Sequence, residues 1–291
     1  VDANSQLTKA ADFIWCNARL LERRLYAYDF AGGSKEAVVA ALLAYQNDDG
    51  GFGNALEPDK RTPASQPVDQ EWALRVLDYI DATDPLMWYR VCDFLWTITT
   101  PEGGVSSTLP TANDYPRMPW WTGEDNAPAA INPTASITGY LLKHGVKHPW
   151  VERATEFCCK AIAASETREF HDLMPIIIFL ENAPDRDRAD AELERVAQRI
   201  SEPGMVELDP QATGYVHMPL EWAPTPQSYC ARLFSDQVIE THLEALAARQ
   251  QPDGGWPLTW EPLSDGVTME WRGSVTLEAL KTLKSYGRLG R

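Results

Sequence analysis

Carboxylates and tryptophans recur side by side in the irregular stretches of this sequence, and together they could carry acid chemistry. Glu57 and Asp59 fall in Leu56-Glu57-Pro58-Asp59, Glu124 and Asp125 follow Trp120 and Trp121, Glu221 precedes Trp222, Glu261 follows Trp260, and Glu270 precedes Trp271. Asp69 stands in the first turn of an expected helix opened by Pro67, where the sister segments carry Ala135 and Ser228. A group that departs from its own repeat is the best single candidate for an acid facing a cavity. A carboxyl enclosed by aromatic rings loses solvation, its pKa rises and it can act as a general acid, while indole faces stabilise a developing cation. The candidate catalytic residues are therefore Asp69, Glu57 and Glu221. The candidate substrate-binding residues are Trp72, Trp120, Trp121, Trp222, Trp260, Trp271, Arg117 and Arg272.

Plainer readings stand beside these. A first-turn Asp favours the helix dipole without any catalysis. Lys60, Arg61, Arg117 and Arg272 could hold a diphosphate or balance neighbouring carboxylates in surface pairs. Carboxylates beside tryptophans would also serve glycoside hydrolysis, where an inverting pair sits roughly 6.5–9.5 Å apart. A toroid that binds a ligand without transforming it is a third reading. His144, His148, His171, His217 and His242 show no metal-ligand spacing, so no metal site is expected, although His217 lies in a repeated loop and could move a proton.

The elements that must position these groups are helices. Apolar residues fall at helical spacing over 7–30, 35–46, 67–80, 86–98, 133–143, 150–163, 172–181, 189–200, 226–233, 236–250 and 274–286, and no alternating strand is found. One motif occurs twice, as Gln46-Asn47-Asp48-Asp49-Gly50-Gly51-Phe52 and Gln250-Gln251-Pro252-Asp253-Gly254-Gly255-Trp256. Three helix starts also look alike, at Gln66-Pro67, Asn132-Pro133 and Thr225-Pro226, because Pro suits the first helical position and Asn or Thr before it can cap. A looser echo links Tyr115-Pro116-Arg117-Met118-Pro119-Trp120 to Tyr215-Val216-His217-Met218-Pro219-Leu220. Hairpins repeated in this way cannot bury their apolar faces alone, so about five or six of them are expected to close as an all-α, α/α toroid. It would be a single domain over 1–291, with helix 7–30 packed on the C-terminal hairpin. The loops 53–66, 104–132, 205–225 and 257–273 would gather at one mouth of the central cavity.

Composition sets the outer limits. Apolar residues make up 44% of the 291, as in a folded globular protein. A net charge of −16 without a basic stripe argues against nucleic acid. No run of about eighteen apolar residues suggests a membrane span, and the expected location is the cytoplasm. The five cysteines lack metal spacing and are expected to be reduced core residues.

The Gln-x-x-Asp-Gly-Gly-aromatic segments, followed by a helix of the Thr276-Leu277-Glu278-Ala279-Leu280 kind, resemble the repeat of the terpenoid cyclase and protein prenyltransferase superfamily. The resemblance implies an α/α barrel with an aromatic-lined cavity for an isoprenoid chain, and structural roles for Gln46, Phe52, Gln250 and Trp256. It implies an isoprenoid-handling enzyme, cyclase-like and acid-catalysed, with a small apolar substrate. No cofactor is implied, beyond Mg2+ if the substrate is a diphosphate. The departures are clear. Where class II cyclases carry Asp-x-Asp-Asp, this chain reads Val68-Asp69-Gln70-Glu71-Trp72. The zinc-binding Asp-x-Cys pair and the class I Asp-Asp-x-x-Asp signature are missing.

Overall fold

The computed structural model describes residues 3–82 and 84–289, and all regular structure among them is helical. Two isolated bridges, Gln46 with Phe52 and Lys60 with Arg117, are the nearest approach to a strand. The described residues gather into two compact units, one from Leu42–Gln198 and the other from the residues up to Ala41 together with those from Arg199 onward.

The inner unit of the sequence contains α4 (Pro67–Tyr79), α5 (Pro85–Thr97), α6 (Ile131–Lys143), α7 (Pro149–Ala164), α8 (Phe170–Asn182) and α9 (Arg186–Ile200), which runs just past its boundary. They follow α1 (Ala3–Asn17), α2 (Leu20–Phe30) and α3 (Lys35–Leu42) in the chain. Helix α6 is enclosed, with every residue from Pro133 to Leu141 buried, and it packs on α4, α7 and α8. Its hydroxyls bond back to its own carbonyls, Thr138 Oγ1 to Thr134 O (2.7 Å) and Ser136 Oγ to Pro133 O (3.0 Å), so burying them leaves no orphan. Gly139 lets α8 come close, since a Cβ there would lie 2.6 Å from Ile178 O.

The second unit holds α1 and α2, most of α3, then α10 (Pro219–Trp222), α11 (Asp236–Ala248) and α12 (Asp265–Ser285). Both α1 and α2 pack on α12, as expected for an N-terminal segment resting on the C-terminal hairpin. They are not the continuous helix expected over 7–30. Arg19 is extended, its guanidinium meets Glu22 at 2.5 Å, and Glu22, only 3% exposed, also accepts from Ser274 Oγ of α12 (3.0 Å). A Cβ on Gly273 would lie 2.7 Å from the Cβ of Ala18, so α12 crosses at the break.

Other boundaries are corrected too. Helix α12 begins at Asp265, where Ser264 Oγ caps Val267 N (3.4 Å), so Glu270, Trp271 and Arg272 are helical and not part of a loop reaching 273. Pro226 opens no helix. Ser228 Oγ accepts from Thr225 N (3.1 Å) in a local turn, and only the short 3-10 segment Tyr229–Leu233 follows. Pro67 does begin α4, but Gln66 does not cap it. The Gln66 side chain reaches Leu109 N (2.9 Å) and Thr111 Oγ1 (2.7 Å) instead. Asn132 is extended and joined to Pro133 by a cis peptide bond. Among the cysteines, Cys92, Cys158 and Cys230 are buried, whereas Cys16 is exposed and leaves the expected core set.

The repeated turn is a real structural unit. In each copy Gln donates to the first Gly carbonyl (Gln46 to Gly50 and Gln250 to Gly254, both 2.9 Å), and the Asp accepts from the second Gly N–H, at 2.9 Å for Asp49 and 3.1 Å for Asp253. A third copy, which the sequence reading passes over, is Thr100-Pro101-Glu102-Gly103-Gly104-Val105. Thr100 N donates to Gly104 O (2.9 Å), as Asn47 N does to Gly51 O and Gln251 N to Gly255 O (both 2.8 Å). The following residue is then tied to the next helix, Phe52 N to Gln70 Oε1 (2.9 Å), Val105 N to Thr134 Oγ1 (3.1 Å) and Trp256 N to Thr276 Oγ1 (2.9 Å). Each turn also lies against a second helix, α5 for the first, α7 for the third copy and α1 for the last. The φ of Gly50 is 88° and that of Gly254 is 91°, and added Cβ atoms would lie 2.6 Å from Arg90 O of α5 and 2.1 Å from Lys9 O of α1.

Gly254→Ala therefore combines left-handed strain with a clash against helix backbone, and is expected to cost about 2–4 kcal/mol. Gly287, with φ 71° and nothing within 4 Å of an added Cβ, is the control, where Ala should cost about 1 kcal/mol. Denaturant unfolding of both variants checks this, and equal losses would show that the close approach to α1 carries no weight.

Candidate functional site

The loop between the first turn and α4 closes over a buried group of charges. Asn54 and Ala55 both take positive φ, 55° and 60°. For Ala this conformation costs about 1 kcal/mol, and it swings the following backbone toward α4. There Glu57 N donates to Asp69 Oδ1 (2.8 Å), and Lys60 Nζ lies 2.5 Å from Asp69 Oδ2. Both side chains of that ion pair are 0% exposed. Glu57 and Asp59 are buried with them.

The sequence candidate with a raised carboxyl pKa in this group is Glu57. Burial pushes its carboxyl up to about 8, with Asp69 and Asp59 adding to the rise, while the Lys60 ammonium and the Asp59 N–H pull partly against it. Its Oε2 is buried and accepts no hydrogen bond. At neutral pH Glu57 is thus a protonated acid with one oxygen uncommitted. Asp69 is neither open to a cavity nor only a helix-dipole residue, because its two oxygens are engaged by Lys60 and the Glu57 N–H. Lys60 balances a carboxylate, though in the interior and not in the surface pair expected of it. The signal in the sequence was the charge run Glu57-Pro58-Asp59-Lys60 amid small and apolar residues, which a solvated loop would not need.

The loop 104–132 lies over this group. Met118 N donates to Asp59 O (2.8 Å) and Arg61 N to Pro116 O (2.9 Å), on either side of the Lys60–Arg117 bridge. Asn113 closes the segment through Gly123, donating to its carbonyl (2.8 Å) and accepting from its N–H (3.0 Å). Arg117 donates to the carbonyls of Asn113 (3.0 Å) and Tyr115 (3.4 Å). Trp120 is 54% exposed and Trp121 is half-buried. Trp72, on α4, lies under the Arg75 guanidinium at 4.5 Å.

The remaining candidates belong to the other unit. Glu221 accepts from Met218 N (2.7 Å) and lies 3.4 Å from His217 Nδ1, so it closes the start of α10. Trp222 is 1% exposed and is core. Tyr215 approaches Trp260, in the segment before α12, edge to face at 6.4 Å, and Trp260 meets Trp271 of α12 at 5.1 Å. Arg272 forms a two-pronged pair with Asp253, both bonds 2.8 Å, and lies 4.6 Å over the Phe13 ring. The expected site residues thus form two sets, Glu57, Asp69, Trp72, Arg117, Trp120 and Trp121 in one unit and Glu221, Trp222, Trp260, Trp271 and Arg272 in the other.

Among the described residues no group of three or more His, Cys, Asp or Glu side chains is placed to hold a metal ion, and no helix is long and apolar enough to cross a membrane. A scan against protein-family models finds no match to this chain, and a search of curated proteins finds none either.

Proposed function

We propose that the chain is an α/α toroid enzyme working by general-acid catalysis, with Glu57 as the proton donor and an apolar, isoprenoid-like molecule as substrate. The observation that carries this reading is the enclosed Glu57 carboxyl, raised above its ordinary range by burial and with an uncommitted oxygen. Ring closure is supported by one rule of packing. The turn 46–51 leads into α4 and lies on α5, and the turn 100–104 leads into α6 and approaches Arg153 of α7. The turn 250–255 leads into α12, and the helix it lies on is α1, the next helix only if the order is cyclic.

In the proposed reaction Glu57 gives its proton to an alkene carbon. A C–H bond forms, the neighbouring carbon becomes a cation, and the carboxylate left behind is stabilised by the Lys60 ammonium. Indole faces would stabilise the cation, with Trp72, Trp120 and Trp121 the candidates in the same unit. Ring formation and loss of a proton from an adjacent carbon, returned through water to the Glu57 carboxylate, restore both an alkene and the acid, so nothing is oxidised or reduced and no redox cofactor is needed. Mg2+ would enter only with a diphosphate substrate. Glycoside hydrolysis asks for two carboxylates facing each other across a water-filled gap. The burial of Glu57 and Asp59 beside the Lys60–Asp69 ion pair favours the single-acid reading.

Incubation with squalene and with prenyl diphosphates, followed by mass spectrometry, tests the proposal. Cyclised or isomerised product is expected from the native chain, with a loss of about 10²–10⁴-fold for Glu57→Gln. Absence of product from every isoprenoid, or native turnover by the variant, would overturn it.

A further inference from the structure

We propose that a groove of about 500 Å³ beside the last repeat turn is a binding site for a neutral saccharide, independent of the chemistry assigned to Glu57. The groove lies within one unit and is lined by Gln251, Asp253, Leu258, Trp260, Thr268 and Arg272, with three prolines between them. The groove is shallow and open to solvent, so a ligand would lie along it and stay partly hydrated.

The polar groups here exceed what the turn itself requires. In the first copy of the turn, Asp49 Oδ1 is satisfied by Gly51 N and by Ser65 Oγ at 2.8 Å. In the last copy, Asp253 instead takes both prongs of Arg272, whose Nε is held by Trp256 O (3.1 Å) and whose guanidinium rests over Phe13. The Arg272 plane is thereby fixed with one N–H left on each terminal nitrogen, since three of its five donors are spent. Gln251 uses its amide N on Arg249 O (3.1 Å) and keeps its carbonyl oxygen as an acceptor. Thr268 Oγ1 donates to Ser264 O (3.0 Å) and keeps its lone pairs. The wall therefore offers both donors and acceptors, with the Arg272 plane held in place.

The chemistry of the ligand follows from what this wall rejects. Arg272 is matched by Asp253, and the chain carries −16, so an anion gains little. A bare hydrocarbon would strip water from the half-exposed Asp253, the spare Arg272 N–H groups and the Gln251 carbonyl and give them no hydrogen bond in return. A molecule with hydroxyls around its rim and C–H groups on its face satisfies both parts. Its hydroxyls would meet Asp253, Gln251, Thr268 and the spare Arg272 N–H groups, and its face would lie on Trp260. That indole is held by edge-to-face contacts with Trp271 and Tyr215 and so presents a fixed aromatic surface.

Calorimetric titration of the full chain with cellotriose, xylotriose and maltotriose tests the site, with the Trp indole N–H resonances followed in parallel by NMR. At least one sugar should bind with a dissociation constant below about 10 mM and shift the Trp260 resonance, and Trp260→Ala should weaken it about tenfold or more. Thr268→Val, which keeps the shape of the side chain, should weaken binding while leaving the helical circular dichroism unchanged. No binding of any neutral sugar at that concentration, or sugar binding that leaves the Trp260 resonance and the Thr268→Val affinity unchanged, overturns the proposal. Tighter binding of a proline-rich decapeptide or of farnesol at the same resonance would also overturn it.

Discussion

Replacing Lys60 by Met is expected to lower the unfolding free energy by about 3–5 kcal/mol at neutral pH. The Lys60–Asp69 pair is wholly enclosed, so removing the ammonium leaves the Asp69 carboxylate without the ion that justifies its burial. Water cannot repay that loss where the side chain has no exposure. Glu57 N still donates to Asp69 Oδ1, but a neutral donor at 2.8 Å does not replace an opposite charge at 2.5 Å. The double variant Lys60→Met with Asp69→Asn should recover most of the loss, because Asn keeps an acceptor for the Glu57 N–H and carries no charge. Urea unfolding of the two single variants and the double variant gives the coupling directly. A loss below about 1 kcal/mol for Lys60→Met would mean that the pair behaves as a solvated surface bridge.

The same pair marks how far the sequence could be read. Helical periodicity and the Gln-x-x-Asp-Gly-Gly turns pointed to an all-helical chain of hairpins because both are local signals, written in residues a few positions apart. The third turn escaped because Thr99 and Val105 replace the Gln and the aromatic, although the backbone bonds that define the turn need only the two glycines and the positive φ that Gly103 adopts. The break between α1 and α2 was equally hidden. Leu21 and Leu25 keep the apolar period across it, while the reason for the break, Glu22 meeting Ser274, spans almost the whole chain. Asp69 was legible as an unusual acid, and Glu57 as a second candidate. What was not legible was the exchange of roles between them. It depends on Lys60 reaching Asp69, and that contact depends on Ala55 adopting a conformation that no propensity would assign to it.

Glu57→Gln should be more stable than the native chain at pH 8 and nearly equal to it at pH 4.5. In the folded chain Glu57 holds its proton up to about pH 8, whereas in the unfolded chain it loses it near the ordinary value of 4.5. Between those values the unfolded state has released a proton that the folded state keeps, so this residue's contribution to stability falls as pH rises through the window and is flat above it. A separation of that size corresponds to about 5 kcal/mol, as an order of magnitude. Glutamine has the shape of the protonated acid and does not titrate, so the difference between the two stability curves should open from near zero to several kcal/mol. Urea unfolding of both proteins from about pH 4.5 to 8.5 measures it, and groups titrating alike in both cancel. A difference that stays constant with pH would show that Glu57 ionises normally and would remove the proton donor from the proposed mechanism. The opposite result, a variant both more stable and inactive, is what a functional acid kept at the expense of the fold should give, because a structural residue would have no reason to retain a carboxyl where an amide is better tolerated.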